Sequence, residues 1–186
     1  IGVIEILRLM GGDITLENQR EVGGEPVADL RVRGAKLKGI EIPEALVPLA
    51  IDEFPVLFIA AVCAEGRTVL RGAEELRVKE SDRIQVMADG LTSLGVKVQP
   101  TEDGIIIDGG QTIGGGEVHS HGDHRIAMAF SVASLRASAP IRIHDAANVA
   151  TSFPNFLALA EQVGMRVAVE GCLLYTSPSP RDQRRS

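Results

Sequence analysis

Three short stretches of the chain concentrate the side chains able to do acid–base or anion-binding chemistry. Asp52 sits in VPLAIDEFPVLFIAAV, where apolar neighbours make an ionised carboxylate unfavourable unless it is capped, paired or used. Arg77-Val78-Lys79-Glu80-Ser81-Asp82-Arg83 is polar at all but one position and stands directly ahead of the helical pattern IQVMADGLTSLG. Gly122-Asp123-His124-Arg125 leads in the same way into IAMAFSVASL, with Asp123 placed to cap that helix.

Each stretch also has a plain structural reading. Asp52 can be a helix N-cap with Pro55 in the first turn, and RVKESDR can be a solvated helix start. Arg83 and Arg125, however, both fall in a first helical turn, where the partial positive charge of the helix end disfavours a cation by about 0.3 kcal/mol or more. Two helices making the same choice point to an anion shared between guanidinium groups and free backbone N–H groups, or to neutralisation by nearby Glu80, Asp82 and Asp123. The residues alone leave both readings open.

Other features carry less. His119, His121 and His124 have spacings a metal could use, but a glycine-rich loop with one candidate carboxylate is a poor ligand set, and no metal site is expected. Arg31, Arg33, Lys36 and Lys38 read as a solvated face. Gly114-Gly115-Gly116 lacks the strand-before, helix-after setting of a dinucleotide loop, and Met87 and Met128 fit a core.

The elements that must position these residues form a repeat. EILRLMGGDITLE, MADGLTSLGVKVQ and FLALAEQVGMRVAVE each read as a helix closed by glycine and followed by an alternating strand, with Gly12, Gly95 and Gly164 as the left-handed closers. Between them a further helix and strand recur, from Asp52 and again from Asp123, offset by 71 residues. The predicted strands are Asp13–Glu17, Asp29–Val32, Arg67–Arg71, Val96–Gln99, Gly104–Ile107, Ile141–His144 and Arg166–Val169. The pattern predicts an α/β or α+β fold of tandem units, which brings equivalent helix starts to one side and lets Asp52, Arg83 and Arg125 converge.

Composition narrows the partners. The 186 residues suit one domain, and 19 basic against 25 acidic side chains give a net charge of −6, which argues against nucleic acid and membrane surfaces. No stretch reaches the roughly 18 apolar residues of a spanning helix. Cys63 and Cys172 are too few for a disulfide framework, so a reducing, cytoplasmic setting is expected. IGVIEILRLM reads as the inside of an element, which leads us to expect sequence upstream. Cys172–Ser186 loses all periodicity and reads as a non-native or disordered tail, leaving 1–171 as the domain.

RVKESDRI, then GDHRIAMAFSVASL, then ATSFPNF, with IDEFPVL around Asp52, resemble in order the 5-enolpyruvylshikimate-3-phosphate synthase family. The resemblance covers essentially Ile1 to Gly171 and corresponds to about the last two-fifths of such an enzyme. It implies most of the C-terminal one of two lobes, each an inside-out α/β barrel of three βαβαββ units whose helix starts face a cleft. It further implies transfer of the enolpyruvyl group of phosphoenolpyruvate to the 5-hydroxyl of shikimate 3-phosphate, in aromatic amino acid biosynthesis, with no metal or other cofactor. Matched residue by residue, Asp52 corresponds to the proton acceptor at the shikimate hydroxyls and Lys79 to the lysine bridging the two substrates. Glu80 corresponds to the acid at the methylene carbon, Arg83 and Arg125 to the arginines on phosphoenolpyruvate, and His124 to their neighbour.

Two positions depart from the family pattern. Ala150-Thr151-Ser152-Phe153-Pro154 lacks the lysine some members carry just before the Thr/Ser-Phe-Pro motif, and Glu75 stands where some members have asparagine. The resemblance implies a monomeric parent whose N-terminal lobe is this chain's missing partner, so that the chain alone is marginally stable and inactive. UDP-N-acetylglucosamine enolpyruvyl transferase, which shares the fold, and a non-catalytic anion-binding module are the alternative readings.

Overall fold

The computed structural model describes residues 1–171 and 173–177. Helix α1 (Gly2–Leu9) runs into an antiparallel hairpin, β1 (Asp13–Val22) and β2 (Glu25–Arg33), which stands as a separate two-stranded sheet. The predicted strands here are too short. The polar run NQREV carries no apolar alternation, yet its backbone pairs with β2 as far as Val22.

Two equivalent units follow. In the first, Lys38 and Glu41 bridge in parallel to Glu65 and Val69 across helix α2 (Phe54–Cys63), and β3 (Arg67–Leu70) leads by way of a 3-10 turn, Glu74–Val78, into α3 (Arg83–Ser93), β4 (Val98–Pro100) and β5 (Ile105–Asp108). In the second, β6 (Gly116–His119) pairs in parallel with β7 (Ile141–His144) across α4 (His124–Ala133), and α5 (Asn148–Ser152), α6 (Phe156–Gln162), β8 (Arg166–Glu170) and β9 (Leu173–Ser177) complete it. A parallel pair needs such a helical crossover, since a tight hairpin cannot make one. The strand order β3-β5-β4 recurs as β7-β9-β8, so each unit reads β, α, β, α, β, β. No closed barrel forms among the described residues; the three sheets stay separate.

Two expectations need correction. Strand β6 escaped the sequence reading because GGGEVH offers only one apolar residue, Val118, which is buried. Residues 173–177 belong to the sheet: β9 lies between β7 and β8, with Leu174 and Thr176 buried and the Thr176 hydroxyl bonded to the Ile141 backbone. The boundary set at 171 therefore falls inside a sheet, while Cys172 and residues 178–186 lie outside the described residues.

Helix α2 is apolar on every side, burying Phe54, Pro55, Leu57, Phe58, Ile59, Ala61 and Val62, which is the signature of a helix inside a core. It packs on α4, and α3 approaches α4 so closely that a Cβ on Gly90 would meet Phe130 Cζ at 2.3 Å. Three helices end alike: Gly11, Gly95 and Gly164 take positive φ, and the next residue's N–H bonds back to Leu7, Leu91 and Ala160 respectively. The first closer is thus Gly11, one residue ahead of the predicted Gly12. No helix of the described residues is long and apolar enough to cross a membrane.

Candidate active site

The site forms where the starts of α2, α3 and α4 meet. Ahead of α3, Arg77 anchors the 3-10 turn to the β4–β5 connection: its Nε donates to the Glu102 carbonyl at 2.8 Å, and its guanidinium also bonds Thr101 O. Nη1 of the same arginine donates to Asp82 Oδ2 at 2.8 Å, and Asp82 Oδ1 caps α3 by accepting from Gln85 N at 3.0 Å. Lys79, Glu80 and Ser81 hang between these two fixed points.

The loop ahead of α4 is held by different means. Gly122 takes φ of 73° freely, but His121 and Asp145 across from it take 52° and 59°, conformations that persist in non-glycine residues where the surroundings enforce them. Here the buried Ser120 hydroxyl reaches the carbonyls of His144 and Asp145 at 2.9 and 2.7 Å, and Asn148 donates to Gly122 O at 2.5 Å. Asp123 emerges from this loop as the cap of α4, accepting from Arg125 N at 3.0 Å.

Arg83 joins the three helix starts. Its Nε donates to Asp123 Oδ2 at 2.9 Å and its Nη2 to Asp123 Oδ1 at 3.4 Å, while Nη1 reaches Asp52 Oδ1 at 3.0 Å and Nη2 also Glu80 Oε2 at 2.6 Å. The side chain is 1% exposed and that of Asp123 0%. A buried charge persists only when paired and hydrogen-bonded, and this guanidinium is both. Burial opposes the charge on Arg83, yet its carboxylate partners prevail and raise its pKa. Burial likewise pushes Asp123 up, but hydrogen bonds from Arg83 and Ser81 outweigh it and hold the carboxyl below its ordinary value.

Asp52 does not cap α2. It lies in a 3-10 turn, Pro48–Glu53, one residue ahead of the cap position, and turns its half-exposed carboxylate toward Arg83 and, at 3.8 Å, Lys79. Lys79 is itself held by Glu75, donating from Nζ to Oε1 at 2.5 Å, and that hydrogen bond to the carboxylate raises the ammonium pKa. Arg125 Nη1 donates to the Asp52 carbonyl at 3.1 Å and to Glu53 Oε1 at 3.4 Å. His124 opens α4, half-buried, outside this network.

Asp52, Arg83 and Arg125, the three residues the repeat is expected to bring to one side, lie together, and Lys79 and Glu80 join them. For Arg83 the local-neutralisation reading also holds, through Asp52, Glu80 and Asp123 rather than Asp82, which belongs to Arg77. Sequence reasoning missed Glu53 and Ser81 as members of the cluster. Only long-range pairing, across 72 and 42 residues, reveals them. The three histidines of HSHGDH divide: His119 stacks on His144 with ring centroids 4.5 Å apart, and no cluster suited to a metal occurs among the described residues.

Residues 1–159 match the family model described as EPSP synthase (3-phosphoshikimate 1-carboxyvinyltransferase). The chain is 66% identical over 182 residues to the 3-phosphoshikimate 1-carboxyvinyltransferase of Alkalilimnicola ehrlichii, covering 96% of this chain and 41% of that protein. Its counterpart from Methylococcus capsulatus is 68% identical over 168 residues, covering 90% and 38%. The solved EPSP synthase of Acinetobacter baumannii superposes with a TM-score of 0.84 at 63% identity, over 87% of this chain and 38% of that one. The enolpyruvyl transferase NikO of Streptomyces tendae, at 19% identity and a TM-score of 0.50 over 94% of this chain and 39% of that one, shares the fold alone. The chain thus spans about two-fifths of the length of the relatives it matches.

Proposed function

Because the chain belongs to the EPSP synthase family, we propose that it forms one wall of a cleft in which the enolpyruvyl group of phosphoenolpyruvate passes to the 5-hydroxyl of shikimate 3-phosphate. The observation that carries this reading is the meeting of Asp52, Lys79 and Glu80 around the Arg83 guanidinium. In the proposed reaction Asp52 accepts the proton of the 5-hydroxyl as its oxygen adds to C2 of phosphoenolpyruvate, and Glu80 delivers a proton to the C3 methylene. The adduct then gives back a C3 proton as inorganic phosphate leaves C2, which restores the double bond. Lys79, kept cationic by Glu75, bridges the reacting hydroxyl and phosphoenolpyruvate. Arg125, the more exposed of the two arginines, meets phosphoenolpyruvate first, Arg83 joins it once Asp52 and Glu80 turn from its guanidinium to the substrates, and His124 orients beside them.

The charge balance supports a partner. Lys79, Arg83 and Arg125 stand among five carboxylates, those of Asp52, Glu53, Glu75, Glu80 and Asp123. Such a face does not hold a dianion or trianion unaided, so the proposal requires cations from the remaining three-fifths of the parent, the missing N-terminal lobe, whose closure would also exclude water.

The test is phosphate release from the two substrates by this chain co-expressed with the remainder of the Methylococcus capsulatus relative, with Asp52→Asn as control. Release that disappears in the control supports the reading. An assembled complex that releases no phosphate, or releases it equally with Asp52→Asn, overturns it.

A further inference from the structure

Ser81 stands between the groups assigned above without belonging to the proton-transfer set. Its hydroxyl donates to Asp123 Oδ2 at 2.8 Å, the same oxygen that accepts from Arg83 Nε at 2.9 Å. The other oxygen of that carboxylate accepts from the Arg125 backbone N–H at 3.0 Å. One buried carboxylate thereby sets two arginines, the first through its side chain and the second through the opening turn of its helix.

The torsion that orients a carboxylate plane is soft, so the plane is fixed by the donors around it. Arg83 spans both carboxylate oxygens, at 2.9 and 3.4 Å, and the Arg125 backbone N–H holds Oδ1, which leaves Oδ2 with Ser81 as its one donor besides Arg83. Ser81 reaches the carboxylate from the segment fixed by Arg77 and Asp82, and its hydroxyl does not follow the carboxylate as it turns. With Asp123 at 0% exposure, water does not stand in for a lost donor. We propose that Ser81 is a positioning residue: it locks the plane of Asp123 and through it the relative placement of Arg83 and Arg125. This rests on the reading of the two arginines as phosphoenolpyruvate contacts.

The test compares Ser81→Ala with Ser81→Thr, which keeps the hydroxyl. In the co-expressed assembly Ser81→Ala raises the KM for phosphoenolpyruvate about tenfold, the equivalent of one hydrogen bond to a charged group, with little change in the KM for shikimate 3-phosphate, and Ser81→Thr restores it. In the full chain by itself, hydrogen exchange at the Arg83 Nε–H, followed by nitrogen-15 NMR, quickens in Ser81→Ala and returns to its original rate in Ser81→Thr. Unchanged exchange in Ser81→Ala overturns the proposal, as does a rise in both KM values with a loss of stability that threonine fails to repair. Absence of turnover in the unmutated assembly counts against the proposed function instead, and the exchange rates then decide the role of Ser81.

Discussion

Arg83 and Asp123 make an ion pair at 2.9 Å with 1% and 0% of their side chains exposed, sealed between the starts of α3 and α4. The two residues come from different units, so this pair joins the repeat to itself at the point where the site forms.

Removing one member of such a pair strands the other. Asp123→Ala is expected to destabilise the chain by about 3–5 kcal/mol, while Arg83→Met combined with Asp123→Leu recovers much of the loss, because an apolar replacement of both partners relieves the desolvation. Urea denaturation of the unmodified chain and these two variants checks this, and a double variant no more stable than Asp123→Ala would refute it.

Acid should unlock the same pair. The folded pKa of Asp123 lies below its reference value of 3.8, so its stabilisation is complete above about pH 4 and drains away as the pH falls through the depressed value. A pH series of denaturation midpoints should fall at the acid end for the unmodified chain and fall less steeply there in Asp123→Asn, where Asp103 and Asp108, also held below their ordinary values, keep part of the slope.

Asp52 separates chemistry from stability. Its side chain is 43% exposed, so Asp52→Asn should shift the denaturation free energy by about 1 kcal/mol or less. If Asp52 accepts the hydroxyl proton as proposed, its loss should nonetheless lower kcat in the co-expressed assembly by about a hundredfold to ten-thousandfold. A variant that keeps its turnover would remove Asp52 from the reaction.

Gly90 tests the packing behind the site. A methyl group there would stand 2.3 Å from Phe130 Cζ, so Gly90→Ala should destabilise by about 1–3 kcal/mol despite its better helix propensity. Phe130→Leu in the same chain should return part of that loss, measured again by denaturation.

How much of this the sequence discloses depends on the range of each interaction. Strand β7 coincides with the predicted Ile141–His144 because two buried isoleucines alternate with half-buried neighbours, and Asp123 caps α4 as its place before the helix predicts. Both signals are local. Asp52 misleads because the cap preference is also local, whereas the partners that turn it away from α2, Lys79 and Arg83, lie 27 and 31 residues on. The burial of Arg83 is illegible for the same reason: nothing in ESDRIQV announces a carboxylate 40 residues later. The family resemblance suggests residues for the site but not which of them hold one another.

The excess of carboxylates around Lys79, Arg83 and Arg125 also reverses a familiar sign. Salt ordinarily weakens the capture of a phosphate ester by screening attraction. On this wall alone the field that an incoming anion meets is repulsive, so raising the ionic strength toward about 0.1 M should leave phosphoenolpyruvate binding to the isolated chain flat or slightly stronger. With the remainder of the parent in place the ordinary dependence should return, and titrations of the two forms across a salt series would expose the difference. The ionic-strength response therefore tests the proposal of a second wall.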